Sequence, residues 1–255
     1  MTSPPAHITS RDNPLLKDLR RLAQESTAWR RQGRIWLEGD HLCRAAVERG
    51  VVPAVAVFAE GFGPHAGIPW ARTAQKTLTT TDALFAGISG LESPAKMGFV
   101  VELPQEPVLE PLAATVILDR LQDAGNVGSI LRSAAAFGFR QVLALKGTAA
   151  LWSPKVLRAG MGAHFGLKLI EGVEPASLDR LAVPILVTSS HQGEPVNRQK
   201  LPKPCAWALG HEGQGVGDEV AARASLAVRI EQPGGEESLN VAAAAAICLY
   251  ASSVQ

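Results

Sequence analysis

The sequence predicts an α/β protein with a mostly parallel sheet in its C-terminal part and a smaller α/β unit before it. Continuous apolar runs alternate with helical patterns after residue 112, which is typical of buried parallel strands. Before that point a shorter series of such runs spans about 100 residues. Residues 103–111 separate the two series and hold three prolines, which favour neither helix nor central strand. We therefore predict domains over residues 1–104 and 112–255, with a linker between them.

The N-terminal unit is predicted to mix helices and strands. Asn13 is a good N-cap and Pro14 suits the first helical turn, so a helix begins there and runs to about Gln24. Thr81 or Asp82 is predicted to cap a short helix. The other predicted elements are a strand over Arg34–Leu37, a helix over Asp40–Arg49 and strands over Ala54–Ala59 and Met97–Leu103.

The C-terminal part is predicted to contain buried strands separated by helices. Ligands of such sheets bind beyond the carboxyl ends of the strands, so the loops after Leu118, Thr188, Leu209 and Ile230 are the candidate site. Helical patterns cover about 127–137, 154–160 and 239–252. The predicted strands are Thr115–Leu118, Gln141–Leu145, Leu167–Ile170, Ile185–Thr188, Ala206–Leu209 and Ala227–Ile230.

Composition narrows the class of protein. Hydrophobic residues make up 46% and charged residues 19%, which is ordinary for a globular chain. The formal net charge is +1, yet residues 1–34 carry seven Lys/Arg against three acids. This local excess favours a basic face for a phosphate backbone, and a solvated amphipathic helix is the alternative interpretation.

The cysteine pattern and the apolar runs predict a reduced, cytoplasmic protein with no metal centre and no membrane segment. Its three cysteines are far apart and form no CxxC pair, which argues against a disulfide framework or a zinc cluster. The longest apolar run, Val241–Ala251, is too short to span a bilayer.

The loop after Leu118 is the first candidate binding element. Gly125 and Gly128 flank Asn126, which suggests a sharp turn and a close approach of the backbone to a ligand. The helix that follows directs its N-terminus at the site and favours anions there. Arg132 lies in that helix and can hold a phosphate or a ribose oxygen in a bidentate manner. The alternative is an ordinary strand–turn–helix with a surface arginine.

The loop after Leu209 contains four glycines within residues 210–217. Its backbone groups can therefore face a ligand. The loop lacks the GxxxxGK[ST] pattern of a phosphate-binding loop, and His211-Glu212 is not part of an HExxH zinc motif because residue 215 is glycine. A plain flexible loop is the alternative.

The loop after Ile230 leads into an alanine-rich helix. Ser238 is a good N-cap for it, with Leu239 and Asn240 opening the helix. Its small residues suit close packing against another backbone, although the segment alone is also consistent with a simple core helix.

Together, the three loops resemble the three signature motifs of the SpoU/TrmH RNA 2′-O-ribose methyltransferases of the SPOUT superfamily. The matching segments are Asn126-Val-Gly-Ser-Ile-Leu-Arg132, Gly210-His-Glu-Gly-Gln-Gly215 and Glu237-Ser-Leu-Asn-Val241. The segments Ile8–Lys17 and Trp36–Gly39 also resemble the substrate-binding domain that many members carry. The resemblance therefore covers nearly the whole chain.

The resemblance implies a fold, a cofactor and partners. It implies a C-terminal domain tied into a deep trefoil knot, which is rare among proteins, and an N-terminal domain similar to RNA-binding ribosomal proteins. It also implies S-adenosylmethionine as methyl donor, ribosomal or transfer RNA as substrate, and a homodimer whose site borders the partner subunit.

The resemblance also implies roles for individual residues. Arg132 is the principal catalytic candidate. The other implied catalytic residues are Asn126, Glu212, Ser238 and Asn240, and the implied cofactor-binding residues are Leu209, Gly210, Gly213, Ile230 and Leu239, with Thr188 and Ser189 at the edge of the pocket.

Two positions depart from the family pattern. Members commonly place proline and methionine after the residue that corresponds to Ile230, whereas this chain has Glu231 and Gln232 there. Gly160 stands where a serine is frequent. The first departure concerns the floor of the cofactor pocket.

The sequence thus predicts an S-adenosylmethionine-dependent RNA 2′-O-methyltransferase in which Arg132 clamps the RNA. A catalytically silent RNA-binding protein of the same fold is the first alternative. The second is a nucleotide-dependent oxidoreductase, because residues 160–166 match a relaxed dinucleotide fingerprint, GxGxxxG. That match follows a helical pattern rather than a strand, which is the wrong context for a dinucleotide site.

Overall fold

The computed structural model describes residues 5–62, 73–103, 107–189, 193–234 and 238–255. The chain divides into two compact units. The first comprises residues 1–105 together with 152–165, and the second comprises residues 106–151 and 166–255. Of the proline-rich stretch, residues 104–106 lie outside the described ranges, and residues 107–111 form neither helix nor strand.

The first unit contains a mixed five-stranded sheet. Its strands are β1 (Ala6–Ile8), β2 (Arg34–Glu38), β3 (Val55–Ala59), β4 (Lys76–Thr80) and β5 (Met97–Glu102). Their order is β1-β4-β3-β5-β2, in which β5 is antiparallel to both neighbours and the other pairs are parallel. The helices of this unit are α1 (Pro14–Gln24), α2 (Ala28–Gln32), α3 (Asp40–Glu48), α4 (Asp82–Ile88) and α6 (Pro154–Gly160), with short 3-10 helices at Glu60–Phe62 and Ala163–Gly166.

Helix α1 shows why the local sequence folds as it does. The side chain of Asn13 caps the helix by accepting a hydrogen bond from the backbone of Leu15 at 3.0 Å. Leu16, Leu19 and Leu22 recur at helical spacing and are buried against the sheet core that contains Val57 and Val100. The predicted N-cap and helix are therefore confirmed.

The second unit contains a seven-stranded sheet in which every pairing is parallel. Its strands are β6 (Thr115–Asp119), β7 (Gln141–Leu145), β8 (Lys168–Val173), β9 (Ile185–Thr188), β10 (Glu194–Pro195), β11 (Ala206–Gly210) and β12 (Leu226–Arg229). Their order is β10-β12-β9-β11-β6-β7-β8. Its helices are α5 (Ala124–Ala136), α7 (Asp218–Ala221) and α8 (Val241–Val254), with a 3-10 helix at Pro175–Arg180. The predicted parallel sheet is confirmed.

Helix α8 is fixed to the rest of the second unit. It packs against α5 and β11. Trp207, on β11, is fully buried, and its indole nitrogen Nε1 donates a hydrogen bond of 2.8 Å to the hydroxyl of Ser252. Because a buried donor without a partner is costly, this bond fixes where the C-terminal end of α8 lies on the sheet.

Several predicted boundaries shift and some elements were missed. Helix α5 begins at Ala124 rather than near residue 127, because the side chain of Asp123 caps it. Strand β4 was missed because its sequence, KTLTT, carries little apolar signal: Leu78 and Thr80 are its buried residues. The other missed elements, β1, β10, α2 and α7, have between two and five residues each. Within the described ranges, no helix is both long enough and apolar enough to cross a bilayer.

Candidate functional site

The parallel sheet of the second unit brings the predicted loops to one edge. Strands β12, β9, β11 and β6 are consecutive neighbours, and all run in the same direction. Their carboxyl ends therefore meet at the same edge of the sheet, which is where ligands of such sheets bind. The four loops selected from the sequence leave the sheet at this edge.

The first loop leads directly into α5. The side chain of Asp123 accepts a hydrogen bond from the backbone of Asn126 at 2.7 Å, so Asn126 lies in the first turn of the helix. Gly125 and Gly128 are both helical residues. The expectation of a sharp glycine turn around Asn126 was therefore wrong: the cap, rather than backbone flexibility at glycine, sets the direction of the chain here.

The second loop folds into a tight turn. His211 and Gly215 form an isolated antiparallel bridge, and Gly215 has a φ of +69°. At Gly210, a Cβ atom would lie 2.1 Å from the backbone carbon of Gly215 and from the backbone nitrogen of Val216. The loop is so closely folded that only glycine fits at position 210.

Two residues that the sequence analysis did not select hold the second loop in place. Asp119, the buried last residue of β6, accepts a hydrogen bond from the backbone of Gly217 at 2.6 Å. Arg120, with a φ of +59°, bonds to Asp119 at 2.9 Å and donates to Gln214 at 3.1 Å. An acidic residue at the carboxyl end of an otherwise apolar strand is the signal that could have identified this clasp.

Three of the predicted catalytic side chains are joined by hydrogen bonds. The Nδ2 atom of Asn126 donates to the carboxylate of Glu212 at 3.2 Å, and the Oδ1 atom of Asn126 accepts from Nδ2 of Asn240 at 3.0 Å. The carboxylate of Glu212 also accepts from the backbone nitrogens of Gln122 and Asp123, at 3.5 and 3.3 Å. Each of the three side chains belongs to a different loop, so these bonds connect all three.

The hydrogen bonds also set the protonation of Glu212. Partial burial acts to raise the pKa of this carboxyl group, but backbone donors and Asn126 stabilise its charged form and hold its pKa below the ordinary value. Glu212 is therefore a carboxylate at neutral pH, which is the form that can accept all of these bonds.

The third loop ends in a cap that differs from the prediction. Asn240, not Ser238, is the N-cap of α8: its Oδ1 atom accepts from the backbone nitrogens of Ala242 and Ala243 at 2.9 and 3.3 Å. Ser238 is exposed beside the site. Asparagine takes the cap because the helix begins one residue after it, at Val241. Glu237, the first residue of the third motif, lies outside the described ranges.

A cavity of about 560 Å³ opens among these loops. Ser238, Glu212 and Asn240 line it, together with most of the residues predicted to bind the cofactor. The lining residues from that prediction are Thr188, Ser189, Gly210, Gly213, Ile230 and Leu239. Leu209 is the exception, because its side chain is 1% exposed and packs in the core of the sheet. Gln232 also lines the cavity and was not selected as a site residue.

Arg132 lies apart from this cavity. It is an exposed residue of α5 and is not among the residues that line the cavity of its own chain. Its side chain forms no hydrogen bond or ion pair with any part of the chain that the structure describes. Asn126 is six residues earlier in the same helix, and at about 100° per residue the two side chains leave it in different directions.

The departure at Gly160 has a steric cause in the first unit. A Cβ atom at this position would lie 2.4 Å from Cε1 of His164, which is a buried residue. The histidine ring thus occupies the space that a serine side chain would need. Gly160 ends α6 rather than following a strand, so the context of a dinucleotide fingerprint is absent here.

Comparisons with known proteins agree on one family. The model of the SpoU rRNA methylase family matches residues 113–250. The chain is 31% identical, over 95% of its length and 97% of the relative's, to the 23S rRNA (guanosine(2553)-2′-O)-methyltransferase RlmP of Bacillus subtilis.

Two solved structures give the same result. The first is described as a putative RNA methyltransferase of the TrmH family from Porphyromonas gingivalis, with a TM-score of 0.80, 30% identity and coverage of 94% and 97% of the two chains. The second is an AdoMet-bound rRNA methyltransferase from Sinorhizobium meliloti, with a TM-score of 0.81, 26% identity and 96% coverage of both chains.

The two glycines of the second loop should respond differently to the same substitution. We expect Gly210→Ala to destabilise the protein by about 1–3 kcal/mol, because the added methyl group meets backbone atoms that cannot move aside. In the control Gly213→Ala, the added Cβ comes no closer than 3.9 Å to the ring of His211, and we expect a change within about 0.5 kcal/mol. Urea unfolding of both variants measures the difference, and equal losses of stability would contradict the described loop.

Glu212 should make stability depend on pH. Its pKa is lower in the folded than in the unfolded chain, so its stabilising contribution is present above the unfolded pKa and is lost as the pH falls through the folded pKa. From about pH 6 to about pH 3, which spans the ordinary range for glutamate, the wild type should lose more stability than Glu212→Gln. Glu194→Gln, at an exposed glutamate of the same unit, is the control and should follow the wild type. Parallel curves for all three proteins would refute the described bonds.

Proposed function

The chain belongs to the SpoU rRNA methylase family, and on that basis we propose that it transfers a methyl group from S-adenosylmethionine to a ribose 2′-hydroxyl of structured RNA, either ribosomal or transfer RNA. The observation that carries the proposal is the set of hydrogen bonds from Glu212 through Asn126 to Asn240, beside a cavity lined by the same loops. The relatives' printed names support the reaction and the donor.

The cavity suits a cofactor of this size. Its volume of about 560 Å³ lies within the range of ordinary small-molecule pockets, about 300–1,000 Å³. A Cβ atom at Gly215 would meet no atom within 4 Å, so the glycines of the loop leave room that larger residues would fill. In the proposal, Thr188, Ser189, Gly210, Gly213, Ile230 and Leu239 hold the cofactor, and Leu209 acts by positioning Gly210 from β11.

The chemistry requires alignment more than acid–base power. Bound S-adenosylmethionine supplies an electrophilic methyl group on a positively charged sulfur. The protein then has to hold the ribose hydroxyl in line with that group, and positioning alone can supply much of the acceleration. In the proposal, Glu212, Asn126 and Asn240 hold the three loops at fixed separations, and Ser238 faces the same space.

Arg132 is proposed as a clamp on the RNA. A guanidinium rarely gives up its proton, so it is a poor general base. It can instead hold the ribose and the adjoining phosphate in a bidentate manner and favour the developing oxyanion. Its exposed side chain, which has no protein partner in the described ranges, is available for this role.

A homodimer belongs to the same proposal, because Arg132 does not line the cavity of its own chain. Helix α8 supports it. Ala245, Cys248, Leu249 and Ser252 are buried against the rest of the unit, while Ile247, Tyr250 and Val254 on the other side are 39%, 54% and 62% exposed. A helix that is apolar all round needs cover on both faces. We propose that a second copy of the chain covers the exposed face and that the site borders this partner.

The N-terminal domain, residues 1–104, is proposed to bind RNA. The three acids of residues 1–34 are each paired, Asp12 with Lys17, Glu25 with Arg31 and Asp18 with Arg34. The basic excess is therefore carried by the remaining arginines, of which Arg11 and Arg21 are exposed. Exposed cations that are not paired with acids can contact phosphates.

A deep trefoil knot in the domain of residues 112–255 completes the proposed fold. It is supported by the strand order β12-β9-β11-β6 and by the return of the chain from β12 to α8, which packs on α5 and β11. A reducing, cytoplasmic location is also proposed. It is supported by three free, buried cysteines, among which burial raises the pKa of Cys248 to about 12.

The decisive experiment is transfer of a labelled methyl group onto total RNA, followed by mapping of the modified nucleotide. We expect label on a ribose 2′-oxygen. A catalytically silent RNA-binding protein would bind RNA and leave it unlabelled. Label on protein alone would contradict the proposed substrate, and binding of NAD instead of S-adenosylmethionine would favour an oxidoreductase.

Substitution of Arg132 should separate a clamp from a simple charge. We expect Arg132→Ala to lower kcat by about 100- to 1,000-fold and Arg132→Lys by about tenfold or more, because an ammonium group cannot replace a bidentate guanidinium. Arg140→Lys, the same change at another exposed arginine of this unit, is the control and should keep full activity. Near-normal turnover of Arg132→Lys would argue against the clamp.

The proposed dimer can be tested on α8. We expect Ile247→Glu to shift the protein from two chains to one in light scattering, because a carboxylate would be buried without a partner at the interface. Val108→Glu places the same charge on an apolar residue that is 72% exposed, and it should remain dimeric. A wild type that is monomeric at micromolar concentration would refute the dimer.

A further inference from the structure

Gln232 carries a polar atom that the folded chain leaves unsatisfied. Its amide oxygen Oε1 is shielded from solvent, and no donor in the described part of the chain reaches it. Buried oxygens of this kind nearly always accept a hydrogen bond, and leaving one unmade is unfavourable. A residue kept in this state points to a donor that the polypeptide itself does not provide.

The position of Gln232 indicates where that donor comes from. The residue lines the cavity of about 560 Å³ at the carboxyl end of β12, together with Thr188, Ile230 and Leu239. Its neighbour Glu231 forms an ion pair with Arg198 at 3.7 Å and does not line the cavity. The two consecutive polar residues therefore have different partners, and Gln232 is the one beside the ligand space.

The family resemblance makes this position specific to the present chain. Members commonly have proline and methionine where this chain has Glu231 and Gln232. A methionine would cover the cavity floor with an apolar thioether, whereas glutamine adds an acceptor at nearly the same side-chain length. An acceptor added to a buried floor is useful when a ligand supplies the donor.

We propose that Gln232 is a cofactor-binding residue whose Oε1 atom accepts a hydrogen bond from S-adenosylmethionine. This inference rests on the proposed function. The cofactor offers donors of one shared chemistry from two places, the adenosine moiety and the α-ammonium group of its amino acid. Gln232 meets one of these donors, and the bond replaces the one that the folded chain leaves unmade.

The test is calorimetric binding of S-adenosylhomocysteine to the full-length protein. Gln232→Met removes the acceptor with little change in volume, and we expect about three- to tenfold weaker binding. Gln232→Glu keeps an acceptor and should bind more tightly than Gln232→Met. The same titrations with 5′-methylthioadenosine, which lacks the amino acid, locate the donor: an equal loss places it on the adenosine, and an unchanged affinity places it on the ammonium group.

Thermal unfolding of the ligand-free protein separates binding from a structural role. We expect Gln232→Met to unfold at the same temperature as the wild type or higher, because the substitution removes an unsatisfied buried oxygen. A lower unfolding temperature accompanied by weaker binding would overturn the inference in favour of a structural residue. Equal affinities of wild type and Gln232→Met would also overturn it, and only it. A wild type that fails to bind S-adenosylhomocysteine or S-adenosylmethionine would instead overturn the proposed function.

Discussion

The site depends on a directional series of hydrogen bonds that begins at the N-terminus of α8. The Oδ1 atom of Asn240 is committed to two backbone N–H groups of that helix, so its Nδ2 atom must face Asn126. Asn126 then presents Oδ1 to Asn240 and Nδ2 to an acceptor, which is the carboxylate of Glu212. Each amide orientation follows from the one before it, and the series ends correctly only at an ionised acid.

The parallel sheet is what allows such short side chains to meet. Asn126 and Asn240 are separated by more than a hundred residues, yet β6, β11, β9 and β12 end side by side at one edge. The clasp of Asp119 and Arg120 then fixes the second loop against the end of β6. Backbone topology sets the approximate separations, and polar side chains reduce the remaining freedom.

The fold and the chemistry of the site were predictable to different degrees. Apolar runs identified the strands of the parallel sheet, because burial on both faces leaves a clear signal in the sequence. The cap at Asn240 was misplaced to Ser238, since both residues are good caps and only the first turn of α8 distinguishes them. Asp119 and Gln232 were not selected, because their significance lies in contacts made or left unmade across the fold. The position of Arg132 outside its own cavity also has no counterpart in the motif that contains it.

The double role of Asn240 ties a local helix end to the ligand site. The same oxygen that starts α8 is held in place by the side chain that reaches Asn126, so fraying of the first helical turn and loosening of the three loops are a single event. Any molecule that binds the ordered loops must therefore slow hydrogen exchange at Ala242 and Ala243, although neither amide touches the cavity. Occupancy of the pocket is in this way reported at the start of the C-terminal helix.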